Sequence, residues 1–330
     1  MATKREAYLS LSAMLRAREP RLLNGERAQR MLDAASFEEA AKLLTDCGYG
    51  DMSQMNANEI EAALTQRRSQ ILEELDRLLP DKAIADLFRM KYDTHNAKVL
   101  LKAEAMGTEG GALYSRSGRI PPEKLTAAYN EGRYSELPEL FGKALEEAKN
   151  TLARTANPQL SDFILDRALY QEMLAAAETV GNPFLTGYVR LQIDSSNLKS
   201  LVRTMRMRKD ADFLREVLIP GGSVDVDRLS TAGDAEGISA LFAHSPLEQA
   251  AARGAEALSG GGMTAFERAC DNAVNGYLRQ AKLVSYGPEA PVAYVAAVEN
   301  EITAVRMILT GRLAGIAPDT IRERLRELYA

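Results

Sequence analysis

Two short polar pairs are the residues of this chain whose types and spacing come closest to chemistry. Asp93 and Asn96 stand three positions apart in DTHNAKVLLKA, and Asp194 and Asn197 stand likewise in DSSNLKSLVRT. Residues at i and i+3 share a helix face, so each pair could present a carboxylate and an amide to one ligand. The same residue types also bond backbone groups and cap or bend helices. Asn197 follows Asn96 by 101 residues (197 − 96), and the return of both pairs in equivalent settings favours a repeated structural duty.

Other catalytic and binding patterns are absent from the sequence. His95, His244, Cys47 and Cys270 are scattered, and no H-E-x-x-H or closely spaced ligand set joins them. The cysteines read as two buried thiols and the histidines as ordinary hydrogen-bonding residues. There is no phosphate loop, no G-x-G-x-x-G, no G-x-S-x-G elbow and no paired-aspartate metal motif. SGGGMTAFERA (259–269) runs glycines into a helix start, where free N–H groups could hold an anion. Lacking the lysine and hydroxyl of a nucleotide site, it reads as a flexible connection. RTMRMRK (203–209) gathers cations that suit a solvated helix face, or a docking patch for an acidic helix or anionic headgroups.

The elements that must position these residues are helices. Capping signals recur: Ser36 with Glu39 before FEEAAKLL, Ser245 with Pro246 and Glu248 for PLEQAAARGAEAL, and Asn58 before a long amphipathic run stopped at Pro80. Pro318 and Asp319 open a last helix over TIRERLRELY. No sustained alternation of β-branched and aromatic residues is present, so the fold class is all-α. GTEGGALYSRSGRIPP (107–122) and IPGGSVDVD (219–227) interrupt helical periodicity and divide the chain into thirds.

A third, fainter copy completes the series. VENEITAVRMI (298–308) falls into register when Glu301 takes the place of Asn96 and Asn197. Leu100, Leu201 and Val305 then coincide, as do Ala97, Leu198 and Ile302. A second marker keeps the same order: FEEAAKLL (37–44), YSELPELF (134–141) and AEGISALF (235–242). The chain therefore reads as an internal triplication, with helical repeats over 1–107, 108–218 and 219–330. Each repeat helix carries an apolar stripe, such as Leu198, Leu201, Val202 and Met205, to be buried against its neighbours. Repeats of this length favour three compact bundles around an axis over a thin solenoid.

Bulk properties set the remaining bounds. The 330 residues are 46% hydrophobic and 26% charged, a globular balance, and the net charge of −5 argues against a nucleic-acid binder. The amino-terminal MATKREAYLSLSAML has charges among its apolar residues and is not expected to be a secretory leader. The longest apolar run, VAYVAAV (292–298), is far too short to cross a bilayer.

The carboxy-terminal stretch VAYVAAVENEITAVRMILTGRLAGIAPDTIRERL (292–325) resembles the terminal signature of the C subunit of the V/A-type rotary ATPases. The eukaryotic counterpart of that family is the V-ATPase d subunit. Tyr294, Glu299, Asn300, Glu301, Arg306, Gly311, Arg312 and Gly315 carry the match, and Asp93–Lys102 and Asp194–Arg203 are similar to the family's D-x-x-N-x-K-x-L-L-K helix. The resemblance implies a funnel of three related helical units around a pseudo-threefold axis, with no cofactor, small-molecule substrate or chemistry of its own. It implies a socket on the cytoplasmic face of the membrane, joining a central shaft to the membrane rotor ring. Torque would pass through it between ATP hydrolysis or synthesis and proton or sodium transport. Arg203, Arg206 and Arg208 are then candidates for partner docking. A helical adaptor unrelated to an ATPase is the alternative.

Overall fold

The computed structural model describes residues 4–108 and 110–330, and every regular element among them is helical. The first four α-helices are α1 (Leu9–Arg18), α2 (Gly25–Asp33), α3 (Phe37–Lys42) and α4 (Ala57–Leu78). Next come α5 (Ala83–Met106), α6 (Pro122–Glu131), α7 (Glu139–Thr155) and α8 (Pro158–Val180). They are followed by α9 (Pro183–Arg206), α10 (Ala211–Val217) and α11 (Val226–Ser230). The chain closes with α12 (Ala235–Leu241), α13 (Glu248–Leu258), α14 (Met263–Leu278), α15 (Glu289–Leu313) and α16 (Pro318–Arg324).

Local chemistry explains many of the boundaries. Asn157–Pro158 and Asn182–Pro183 open α8 and α9 in the same way: the asparagine side chain accepts from Gln159 N or Leu185 N, and proline occupies the first helical position. The cap of α4 is Asn56 rather than Asn58. Asn56 Oδ1 accepts from Glu59 N while Glu59 Oε2 accepts from Asn56 N, a reciprocal pair that starts the helix before Asn58 and leaves Asn58 inside its first turn. Ser36 caps α3 through Glu39 N, but the Glu39 carboxylate reaches Ala35 N instead of the cap's own N–H. Ser245 forms a tight turn, accepting from Leu247 N, and α13 begins at Glu248 without a side-chain cap. The last helix stops at Arg324, short of the expected Tyr329. Asn272, Asn275 and Arg279 from α14 and the turn after it bond residues 327–328 outside the helix.

Two compact units result, one of Asp81–Ala232 and the other of Met1–Pro80 with Gly233–Ala330. The expected thirds, 1–107, 108–218 and 219–330, divide the chain at other places than these units do. In the Asp81–Ala232 unit, α5 and α7 pack most extensively on α8. Ala97, Leu100 and Leu101 of α5 meet Leu125, Tyr129, Phe141, Leu145 and Leu165 in one apolar core. Each such side chain, once buried, contributes about 1.5–3 kcal/mol.

In the other unit α15 is the central element, packed by α1, α2, α3 and α4. Its first ten residues, Glu289–Val298, are buried without interruption. A helix apolar all round belongs inside a bundle, and VAYVAAV is its core-crossing segment. The second marker behaves alike in its three places. Ala40, Leu137 and Ile238 are buried, as are Leu44, Phe141 and Phe242, while the leucine between them is less covered.

Candidate functional site

The polar pairs of α5 and α9 do not bond the backbone of their own helices. They reach across to the connections that follow. Asn96 Oδ1 accepts from Ser115 N at 2.8 Å while Asn96 Nδ2 donates to Ser115 O at 2.8 Å. Asn197 repeats this on Ile219, accepting from its N–H at 2.8 Å and donating to its carbonyl at 2.7 Å. An amide side chain can grip both backbone atoms of a single residue, because it carries a donor and an acceptor side by side at any pH. Both asparagines are fully buried, where unmade hydrogen bonds are costly.

The aspartates, one turn earlier, hold the same connections further on. Asp93 accepts from Ile120 N at 3.0 Å and from Arg119 Nε at 2.7 Å, and Arg119 continues to Glu172 of α8 at 2.9 Å. Asp194 accepts from Ser223 N at 2.9 Å and Val224 N at 3.2 Å. Burial pushes both carboxyls above the usual aspartate range, opposed by Arg119 at Asp93 and by the two backbone N–H groups at Asp194. The approach is close enough to dictate sequence. A Cβ on Gly118 would meet Asp93, and one on Gly222 would meet Asp194, so these two connection glycines are packing requirements as well as turn formers.

In α15 the chemistry changes. Glu301 Oε2 accepts from Leu23 N at 2.6 Å, and Oε1 accepts from Tyr49 Oη at 2.7 Å and Arg67 Nη2 at 3.2 Å. An ionised carboxylate cannot donate, so it cannot grip Leu23 O as an amide would. Arg67 of α4 also donates to Cys47 O and Gly48 O, each at 3.0 Å, and lies over the Tyr49 ring at 4.1 Å from its centroid. Burial pushes the Glu301 carboxyl up, against the pull of Arg67, and raises the Tyr49 phenol as well. Val298 stands where the other two helices have aspartate.

The remaining candidates sit apart from this centre or beside it. Glu299 pairs with Arg68 at 3.2 Å, and Arg306 forks onto Glu61 with both distances under 3 Å (2.6 and 2.8 Å). Arg203, Arg206 and Arg208 are exposed around the carboxy-terminal end of α9, with Met207 exposed among them. His95 lies on the surface with Nε2 3.0 Å from Leu113 O, His244 is exposed, and Cys47 and Cys270 are buried thiols outside any disulfide. SGGGM joins α13 to α14. Among the described residues no group of three or more His, Cys, Asp or Glu side chains is arranged to hold a metal ion. Nor is any described helix long and apolar enough to cross a membrane.

Sequence reasoning did not single out Tyr49, Arg67 or Arg119. Arg67 and Arg68 read as the polar face of an amphipathic run, and the only available signal was their charge complementarity to Glu299 and Glu301 far along the chain.

Buried polar side chains that tie helices to their connections are the centre of this helical protein, and what they do is hold the chain together. Comparison with known proteins agrees: the chain matches the ATP synthase (C/AC39) subunit family over residues 11–324 and belongs to it. That family is the C subunit of V/A-type ATPases, a structural component rather than a catalytic one. The chain is 24% identical to the V-type sodium ATPase C subunit of Enterococcus hirae, covering 98% of this chain and 99% of that one. It is 26% identical to the A-type ATP synthase C subunit of Methanocaldococcus jannaschii, over 96% and 86% of the two chains. To the V-type ATP synthase C subunit of Thermus thermophilus it is 25% identical, over 70% and 72%.

Proposed function

We propose that this chain is the rotor socket of a V/A-type ATPase, seated at the cytoplasmic face of the membrane between a central shaft and the membrane rotor ring. In this reading it transmits torque between ATP hydrolysis or synthesis and proton or sodium transport, and its three repeats stand around a pseudo-threefold axis as a funnel. The observation that carries the proposal is the family match over nearly the whole chain. The clamps support it physically. A torque-bearing coupling must resist shear in its connections, and Asn96, Asp93, Asn197 and Asp194 tie connections to helices through buried bonds that solvent does not compete for. Three helical repeats, over 1–107, 108–218 and 219–330, would then share one plan, with Glu299 and Arg306 fastening the third. Arg203, Arg206 and Arg208, with exposed Met207, offer a basic, apolar-tipped helix end to an acidic partner surface.

The test is an affinity pull-down of the tagged chain from detergent-solubilised membranes of its own host. Recovery of shaft and ring proteins together with ATPase activity is expected. Recovery of none of them, from membranes in which the ATPase is active, overturns the proposal and leaves a free-standing helical adaptor.

A further inference from the structure

The three repeat helices direct their buried polar groups to different parts of the chain, and the direction carries information. Asn96 grips a residue 19 positions ahead, in the connection leading into α6. Asn197 grips one 22 positions ahead, in the connection leading into α11. Glu301 grips Leu23, which lies 278 positions behind it and immediately precedes Asn24, the cap of α2. In each case the held residue stands before the helix that leads into the second marker of a repeat, α6, α11 and α2 in turn. For the first two helices it is the following repeat; for the last it is the first.

Packing has the same offset. The helix α5 packs on α6, α7 and α8 of the next repeat, and α9 on α11 of the next as well as on α8 and α10 of its own. The helix α15 packs on α2, α3 and α4 of the first. Further ties bind α15 there: Glu299 to Arg68, Arg306 to Glu61, and Arg312 Nη1 and Nη2 to the carbonyls of Leu32 and Ala34 at 2.7 and 2.6 Å.

We infer that Glu301 is the closing clasp of a head-to-tail series of clamps, holding the start of the chain to its last long helix as Asn96 and Asn197 hold each repeat to the next. The substitution of glutamate for asparagine suits that place. Its longer side chain joins three segments of the first repeat at once: the lead-in at Leu23, the turn at Tyr49 and α4 at Arg67. Residues 22–78 are thereby completed by residues 289–313, and release of the clasp loosens residues 22–78 while leaving the Asp81–Ala232 unit as it is.

Hydrogen exchange on the full chain, resolved by peptide, tests this. In Glu301→Ala, amides of residues 22–34 and 47–49 should exchange at least about tenfold faster, as the loss of one buried charge-assisted hydrogen bond dictates. Amides of 81–232 should keep their wild-type rates. Asn197→Ala should accelerate the connection around Ile219 and leave 22–34 unchanged. Should Glu301→Ala fail to fold, Glu301→Gln decides, since it keeps an acceptor for Leu23 N while its NH2 replaces the oxygen to which Tyr49 Oη and Arg67 donate. Its acceleration should be smaller and confined to the same amides. Wild-type exchange at 22–34 in the folded variant, or acceleration spread equally over 81–232, overturns the inference.

Discussion

Replacing Gly222 by alanine places a methyl carbon inside the contact distance of Asp194 Oδ1 and 3.0 Å from its Cγ. Asp194 is buried and bonded to Ser223 N and Val224 N, so the carboxylate has no free direction in which to retreat. Accommodating the methyl group means breaking those bonds. Hydrogen bonds to a charged group are worth about 1.5–3 kcal/mol each, so the substitution should cost roughly 3–5 kcal/mol. With Asp194 already replaced by alanine, the closest remaining obstacle is Ile193 Cγ2 at 3.2 Å, and the same substitution should cost under about 1 kcal/mol. The coupling between the two positions is then about 2–4 kcal/mol, large for a pair of residues in contact. Urea denaturation of wild type, both single variants and the double variant, followed by far-ultraviolet circular dichroism, measures it. Equal cost of Gly222→Ala in both backgrounds would refute the claim that this glycine exists to admit the Asp194 carboxylate.

Removal of the amide clamps should be expensive in both places. Asn96→Ala and Asn197→Ala each strand a backbone N–H and C=O, and each should lower unfolding free energy by about 2–4 kcal/mol, read by urea denaturation. Asn197→Asp, which keeps the acceptor and loses the donor to Ile219 O, should still be destabilising, because it sets a carboxylate against a carbonyl. The pH dependence of Glu301 has a definite sign. Burial raises its carboxyl above the ordinary glutamate range, so the folded chain holds that proton more tightly than the unfolded chain. The group's stabilising contribution is then complete below the ordinary value and declines as pH rises through the raised one. Wild-type stability minus that of Glu301→Gln should therefore fall with rising pH across that window; a difference that rises would mean Arg67 outweighs burial. Finally, Arg203→Glu combined with Arg206→Glu should lower urea stability by no more than about 2 kcal/mol, the cost of two anions in the last turn of α9, and abolish co-purification of partner proteins from chain that remains folded. Unchanged assembly would remove these arginines from any docking surface.

The sequence by itself determined the helices and their order. Periodicity identified the stripes of α5, α9 and α15, and Asn-Pro, Gly and Pro punctuated most boundaries, because these signals act within one or two turns of chain. It also aligned Asn96, Asn197 and Glu301, and it marked 107–122 and 219–227 as connections. Errors were local in kind: Asn56 rather than Asn58 caps α4, and α16 ends at Arg324 because α14 side chains hold the residues beyond. Tertiary structure alone decided what the polar pairs touch. A buried aspartate or asparagine states in sequence only that it needs partners. Whether those lie in its own helix, 19 to 30 residues ahead, or 278 behind depends on which segments packing brings alongside. Arg67, Tyr49 and Arg119 were hidden for the same reason. Each is an ordinary polar residue of its local stretch, and a partner only once the apolar stripes have chosen their neighbours.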